Sequence, residues 1–180
     1  MSFEQYVVVF DACVLAPMPL CDTLLRLAEE PAFYTPKWSD DILLEVHRTL
    51  VKKLGRNEGQ AKRRVDHMKF AFPEALVKDY EGLIPSMTNE EKDRHVLAAA
   101  IRCGAHAIVT YNTRHFPKYS LEPFGIECIS ADRFVEDQYH LNPDQFIITL
   151  EQQATEINWT VPDLIARHVP CLSRLIVTKG

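Results

Sequence analysis

The 180-residue sequence lacks the features that mark a membrane-spanning or secreted protein. No apolar run approaches the roughly 18 consecutive residues that a membrane span needs. The N-terminus has no basic segment and its apolar run is interrupted by Asp11, so we expect no signal peptide. The five cysteines are scattered without a C-x-x-C pair, which favours reduced thiols. Together these absences predict a cytoplasmic protein that does not bind a membrane.

The sequence also lacks an overall positive charge. Its net charge of −5 argues against a protein coated with nucleic-acid-binding residues. The charge is uneven, however: residues 47–70 carry eight Lys or Arg and two acids, whereas residues 120–165 carry nine acids and a single Arg. The basic segment is compatible with a polyanionic partner, although a solvated helical face would have the same pattern.

Short apolar runs alternate with helical patterns along the chain. Strands are predicted at residues 7–10, at 32–38 with a stop at Pro36, at 105–112 and, more weakly, at 125–130. Helices are predicted at 21–30 with Asp22 or Thr23 as cap, 39–55 with Ser39 as cap, 57–80 with an end near Pro73, from a Thr88–Glu91 capping box to Gly104, 132–139, 143–156 and 162–168. This alternation predicts an α/β domain with a parallel sheet.

No internal repeat and no low-complexity linker divides the chain, so we expect one compact unit. Within it, residues 1–140 are predicted to form the α/β domain, and residues 141–180 a C-terminal helical extension packed on the same domain. The extension carries apolar residues among acids. It would complete the core, make a dimer or bind a partner protein, and core completion is the simplest of these.

Polar side chains follow two of the predicted strands. Asp11 comes directly after the first strand, and Asn112 ends a later one. Because ligands bind at the carboxyl ends of parallel strands, both should reach the same edge of the sheet. Glu45, which flanks the apolar stripe of its helix, and Asp93, in the first turns of another, would join them. Glu90 lies three residues before Asp93 on the same helical face.

Three carboxylates that meet in one place repel each other and favour a bound cation. Oxygen ligands suit Mg²⁺ or Mn²⁺, and no Cys and His set in the sequence fits zinc. Such a cation would bind phosphate oxygens and activate a water, while Lys and Arg hold a nucleic-acid backbone. Each residue alone also has a simpler explanation: Asp11 and Asn112 suit turns, Glu45 a solvated face, and Asp93 and Glu90 a helix N-terminus.

Three stretches, in this order, resemble the PIN-domain ribonucleases: VVVFDACVL, LLEVHRTL and EEKDRHVLAAAIRCGAHAIVTYNTRHFP. The similarity spans residues 6–135 and is closest to the bacterial branch that includes toxins of toxin–antitoxin pairs. It implies a three-layer α/β/α sandwich around a central parallel sheet, an acidic site for Mg²⁺ or Mn²⁺, and hydrolysis of RNA phosphodiester bonds. RNA, an antitoxin protein and a second copy of the chain in a homodimer are the partners that it implies.

The resemblance assigns Asp11, Glu45 and Asp93 as the metal-binding acids and Asn112 as the fourth catalytic position. Thr110 would orient a carboxylate or a water. Around this site we expect Thr110, Glu90 and His115 as auxiliary residues, and Arg48, Lys52, Lys53, Arg63 and Arg64 as contacts to RNA.

Two positions depart from the family pattern. Asn112 stands where Asp is common, so the site loses one negative charge and favours one tightly held cation. Cys13 stands where a small polar residue is common, and a thiol is a weaker hydrogen-bonding group. The two departures motivate an alternative, a catalytically weak RNA- or protein-binding module on the same fold. A phosphatase-like hydrolase with Asp11 as nucleophile ranks lower, because the second Asp that such enzymes carry two residues later is Cys13 here.

Four histidines lie close in sequence to the candidate site. His47 and His95 each lie about 200° around a helix from the acid two residues before them, so neither should share the pocket of that acid. His106 and His115 flank a strand, and we expect both near the edge of the site, with His115 nearest the substrate. A surface or hydrogen-bonding role is expected for all four, and His115 is the one most compatible with a catalytic role.

Overall fold

The sheet is parallel throughout, as the alternation of strands and helices predicted. The computed structural model describes residues 5–168, and within them five strands form one sheet in the order β3-β2-β1-β4-β5. The strands are β1 (Val7–Phe10), β2 (Thr35–Ser39), β3 (Leu76–Val77), β4 (Ala107–Val109) and β5 (Glu127–Ile129). The first strand of the chain therefore lies at the centre of the sheet.

Helices flank the sheet and complete the predicted three-layer α/β/α sandwich. They are α1 (Ala12–Leu15), α2 (Leu20–Leu27), α3 (Asp40–Lys52), α4 (Glu58–Ala71), α5 (Arg94–Arg102), α6 (Lys118–Leu121), α7 (Ala131–Leu141), α8 (Pro143–Glu156) and α9 (Val161–His168). Between residues 5 and 168, none of these helices is long and apolar enough to cross a membrane.

The central strand is buried on both faces of the sheet. Val8, Val9 and Phe10 have no exposed surface, which explains why the strand is apolar without alternation. The ring of Phe10 packs against Tyr34 and Phe134, whose centroids lie 5.6 and 5.5 Å away. This core fixes the end of β1, from which the chain enters the candidate site.

The second predicted strand does not stop at Pro36, because β2 runs through that residue. The N–H of Thr35 donates to the carbonyl O of Tyr6 on the β1 side (2.9 Å), so an N–H at the next position would point to the opposite side. On that side β3 pairs only from Trp38 onward. The proline therefore removes no hydrogen bond from the ladder, which is why β2 tolerates it although this strand lies inside the sheet.

The long helix α3 begins as predicted and ends earlier. The hydroxyl of Ser39 caps it by accepting the N–H of Ile42 (3.2 Å). The helix ends at Lys52 and not at residue 55, and Leu54 lies beyond it with 45% of its surface exposed. Gly55 follows with a φ of +66°, a left-handed conformation that glycine adopts without strain.

Two predicted helix caps are wrong. α2 begins before Asp22 and Thr23, and no side chain caps it. Thr88 and Glu91 form no capping box, because a 3₁₀ turn over Glu91–Asp93 precedes α5. The last residue of that turn occupies the N-cap position of α5, so the third candidate acid lies at the helix entrance and not within its first turns.

The predicted C-terminal extension is helical as far as residue 168. Its helix α8 packs on α2, where the hydroxyl of Thr23 donates to Oε1 of Gln153 (2.7 Å). Arg26 of α2 also forms an ion pair with Glu156 of α8. Residues 169–180 of the extension lie outside the described part, and the division of the chain at residue 140 stays a prediction.

Candidate active site

Asp11 lies where the central strand ends and α1 begins. Its backbone N–H donates to the carbonyl O of Val109 on β4 (3.0 Å), which joins the carboxyl ends of β1 and β4. Its carboxylate oxygen Oδ1 accepts the N–H of Ala12 (2.7 Å) at the start of α1. Asp11 is 3% exposed, so its carboxylate is held by the protein at the edge of the sheet.

Thr110 and Cys13 hold the second oxygen of the Asp11 carboxylate. The buried hydroxyl of Thr110 donates to Oδ2 (2.7 Å) and accepts the N–H of Asn112 (2.9 Å). The thiol of Cys13 donates to the same Oδ2 over 3.3 Å. Burial, and then the charge of Asp11, raises the pKa of Cys13 to about 11. The thiol therefore stays protonated at neutral pH and remains a hydrogen-bond donor.

Asp93 is a second buried carboxylate at the same edge, with 6% of its surface exposed. Burial, and then the charge of Asp11, raises the pKa of Asp93, as expected for two carboxylates that repel each other. Nδ1 of His115 lies 2.8 Å from Oδ2 of Asp93, an ion-pair distance. The two atoms lack the alignment of a hydrogen bond, so Oδ2 is buried without a hydrogen-bonding partner.

Glu45 reaches this edge from α3, with 37% of its side chain exposed. Its Oε1 accepts a hydrogen bond from Nε2 of His95 on α5 (3.1 Å). Burial lowers the pKa of His95, but the hydrogen bond to Glu45 and its charge outweigh burial and raise the pKa. This contact could not be predicted from helical angles, which relate residues on one helix, because the two residues lie 50 positions apart in the sequence.

The four candidate catalytic residues line one open cleft of about 450 Å³. Asp11 and Asn112 reach it from the ends of β1 and β4, Glu45 from α3, and Asp93 from the turn before α5. The complete lining is Asp11, Ala12, Cys13, Pro17, Glu45, Arg48, Thr49, Lys53, Leu54, Lys92, Asp93 and Asn112.

Basic side chains lie in the same cleft as the acids. Arg48 and Lys53, from the expected RNA-contacting set, line it together with Lys92. Lys92 was not among the predicted RNA contacts, although its position next to Asp93 in the sequence indicates a place at this edge of the sheet. The cleft therefore combines carboxylates with cations that could bind phosphate groups.

Other residues expected around the site lie outside the cleft. Lys52, Arg63 and Glu90 are exposed and do not line it. Arg64 donates from Nη2 to the carbonyl O of Leu15 (2.9 Å) and lines a separate cavity between α2 and α4. The basic segment thus contributes only part of its charge to the cleft.

The expectation that His106 lies near the site is wrong. Its Nδ1 accepts the N–H of Val7 (3.0 Å) at the start of β1. His106 directly precedes β4, and the amino ends of parallel strands meet at the edge of the sheet opposite the cleft. His47 pairs instead with Glu58 on α4 (3.2 Å) and does not line the cleft.

The donors of the cleft fit a hard divalent cation in their chemistry. Carboxylate and amide oxygens are ligands that Mg²⁺ and Mn²⁺ accept, and the unpartnered Oδ2 of Asp93 is a buried acceptor without a donor. Across residues 5–168, however, no group of three or more His, Cys, Asp or Glu side chains is placed to hold a metal ion. The acids share a cleft without forming an assembled metal cluster.

Comparisons with known proteins place these residues in context. A family model described as PIN domain matches residues 7–114, more than half of the chain. A Mycobacterium tuberculosis protein described as "Putative ribonuclease VapC50" is 50% identical over 67 residues, which cover 37% of this chain and 40% of that protein. The chain therefore matches about two fifths of the length of this relative. No solved structure matches the chain.

Proposed function

The chain belongs to the PIN-domain family, and on that premise we propose that it is a metal-dependent endoribonuclease that hydrolyses RNA phosphodiester bonds. The observation that carries the proposal is the shared cleft, in which Asp11, Glu45, Asp93 and Asn112 face basic side chains. A relative that is 50% identical over part of its length is described as a ribonuclease, which supports RNA as the substrate.

Asp11, Glu45 and Asp93 would hold Mg²⁺ or Mn²⁺ in this proposal, with Asn112 as a neutral fourth oxygen donor. The cation would supply positive charge against the phosphate and lower the pKa of a water molecule. Because the three acids do not form an assembled group in the described part of the chain, binding of the cation would have to bring them closer together.

Other residues of the cleft would bind the phosphates, and its carboxylates would take part in proton transfer. Arg48, Lys53 and Lys92 would bind phosphates on either side of the scissile bond. Both oxygens of Asp11 already accept hydrogen bonds, and Oδ2 of Asp93 is buried 2.8 Å from Nδ1 of His115. The carboxylate of Asp11 or Asp93 would help to position and deprotonate the attacking water.

Cleavage of single-stranded RNA by the full chain tests the proposal. We expect cleavage with Mg²⁺ or Mn²⁺, none with a chelator, and a loss of at least ~100-fold in Asp11→Asn and Asp93→Asn, the scale of general acid–base catalysis. A single-stranded DNA of the same sequence tests the choice of RNA. Equal cleavage of RNA by the wild type and both variants would mean a contaminating nuclease and would reject the assignment.

A toxin role is the finer part of the proposal and rests on the resemblance to the toxin branch. It requires an antitoxin protein that inhibits cleavage, and co-purification with the product of a neighbouring gene would test it. A homodimer stays a prediction, and sedimentation of the purified chain would decide it.

A second candidate is a catalytically weak RNA- or protein-binding module on the same fold. The lack of an assembled three-residue metal group in the described chain favours it, as does the thiol of Cys13 beside Asp11. Calorimetric titration with Mn²⁺ separates the two candidates. Retained RNA affinity without Mn²⁺ binding would favour the binding module.

A further inference from the structure

Two histidine side chains contact acids of the cleft from the interior of the protein. The side chain of His95 is 12% exposed and that of His115 is 13% exposed, so both imidazoles are largely enclosed. Nε2 of His95 lies 3.1 Å from Oε1 of Glu45, and Nδ1 of His115 lies 2.8 Å from Oδ2 of Asp93. Neither histidine lines the cleft itself.

We propose that His95 and His115 are positioning residues, whose imidazoles hold the carboxylates of Glu45 and Asp93 in the orientation that a divalent cation requires. The inference rests on the proposed function, because it concerns the same cleft. Groups that hydrogen-bond to a ligating carboxylate fix its direction, and their removal typically costs 10–100-fold in metal affinity or activity. His95 already makes such a bond to Glu45. The imidazole of His115 lies at ion-pair distance from Oδ2 of Asp93, and it would align with this oxygen when the carboxylate turns its other oxygen toward the cation.

The contact with Glu45 is the only hydrogen bond that the side chain of His95 makes within residues 5–168. Its second nitrogen, Nδ1, is buried without a partner. The hydrogen bond crosses from α5 to α3, so it connects the partly exposed side chain of Glu45 to the helix that follows Asp93. Without this bond Glu45 would be free to adopt other rotamers in solvent, at an entropic cost to any bound state.

His115 couples two of the candidate residues through its backbone as well as its ring. Its N–H donates to the carbonyl O of Asn112 (2.9 Å), and its own carbonyl O accepts the N–H of Glu90 (3.2 Å). Glu90 in turn accepts from the N–H of Asp93 (2.9 Å). These hydrogen bonds connect the turn that carries Asn112 to the turn that carries Asp93. The imidazole of His115 faces the carboxylate of Asp93 between the two turns.

The same chain offers a histidine–glutamate pair outside the cleft as a matched control. Nε2 of His47 lies 3.2 Å from Oε2 of Glu58, whose side chain is 76% exposed. This pair resembles the His95–Glu45 contact in its groups and distance, but neither member lines the cleft. Replacement of His47 should therefore leave cation binding unchanged.

The test is the affinity of the full chain for Mn²⁺ in the absence of RNA, measured by calorimetry. We expect roughly 10–100-fold weaker binding in His95→Leu and His115→Leu, and unchanged binding in His47→Leu. His95→Gln and His115→Asn place an amide N–H near the position of the imidazole Nε2 and Nδ1 respectively, and they should recover most of the affinity. If the two histidines had only a structural role, an amide nitrogen at these positions would not restore the affinity for Mn²⁺.

Thermal unfolding of each variant accompanies the titrations. If a leucine variant does not fold, His95→Phe and His115→Phe, which keep a planar ring without a donor, replace it and should lose affinity equally. Wild-type affinity in the folded non-donating variants would overturn this inference and leave the proposed ribonuclease intact. A wild-type chain that binds no Mn²⁺ would overturn both.

Discussion

Asp11 interrupts an apolar run because its carboxylate has partners at the edge of the sheet. Two hydrogen bonds of 2.7 Å, from the N–H of Ala12 and the hydroxyl of Thr110, satisfy one oxygen each. A buried carboxylate with such donors costs far less than an unpaired one. The position of Asp11 followed from the topology of a parallel sheet, whereas the bond from Thr110 depends on the register of β1 against β4 and could not be predicted from residue order.

Thr110→Val tests whether this hydroxyl holds Asp11. Valine has nearly the same shape, so the change removes the bond to Oδ2 and leaves the N–H of Asn112 without its acceptor. We expect a loss of ~1–3 kcal/mol in the free energy of unfolding, the cost of buried unsatisfied groups, measured by urea denaturation. RNA cleavage should fall as well, because Oδ2 of Asp11 then keeps only the weaker hydrogen bond from the thiol of Cys13.

Thr110→Ser and Thr155→Val are the controls for that change. Serine keeps the hydroxyl and should keep most of the activity. Thr155 bonds to the carbonyl O of Glu151 on an exposed face of α8, so its replacement by valine should alter neither stability nor cleavage. Full activity in a folded Thr110→Val variant would contradict the role given to the hydroxyl.

Among the elements, the longer helices and four of the five strands were predicted from the sequence, whereas the shortest elements were not. The 13 residues of α3 and the 14 of α4 have clear starts in Ser39 and Asn57. β3 has two residues, too few for any periodicity, and exists because β2 offers it an edge. The 3₁₀ turn before α5 was missed for a related reason: its backbone is set by the contact to the turn of His115, which lies far along the chain.

Ser39→Ala tests how far the cap of α3 positions Glu45. The hydroxyl of Ser39 accepts the N–H of Ile42 (3.2 Å), and the loss of such a cap costs about 1 kcal/mol of stability. Fraying of the first turn of α3 would also loosen Glu45, which follows one turn later. We therefore expect a lower free energy of unfolding in urea and reduced cleavage.

Ser130→Ala is the matched comparison, because Ser130 caps α7 by accepting the N–H of Arg133 (3.3 Å). The same loss of stability is expected there, but α7 contributes no residue to the cleft. Equal effects of the two variants on cleavage, at equal stability, would show that the cap of α3 acts through global stability alone.

At the scale of the whole molecule, charge is separated along the chain and only partly gathered at the cleft. The net charge is −5, yet residues 47–70 carry eight cations against two acids. Composition predicted a basic surface but could not say which cations face the acids, because that depends on how α3, α4 and the turn before α5 pack. The structure places Arg48 and Lys53 of this segment in the cleft, together with Lys92 from outside it, and the other cations of the segment do not line the cleft.

Salt dependence of RNA binding measures how many of these cations contact phosphate. If Arg48, Lys53 and Lys92 each neutralise one phosphate, the logarithm of the association constant should fall with the logarithm of salt concentration with a slope of about −2, at ~0.7 per phosphate of a single strand. Fluorescence anisotropy with a labelled single strand, without added divalent cation, measures the slope. Lys53→Ala should reduce the magnitude of the slope by about 0.7, because one fewer counterion is released on binding.

Lys62→Ala is the control for this prediction. Lys62 pairs with Asp66 on an exposed face of α4, so its replacement should leave the slope unchanged. An equal change of slope in both variants would mean that RNA follows the basic helix and not the cleft.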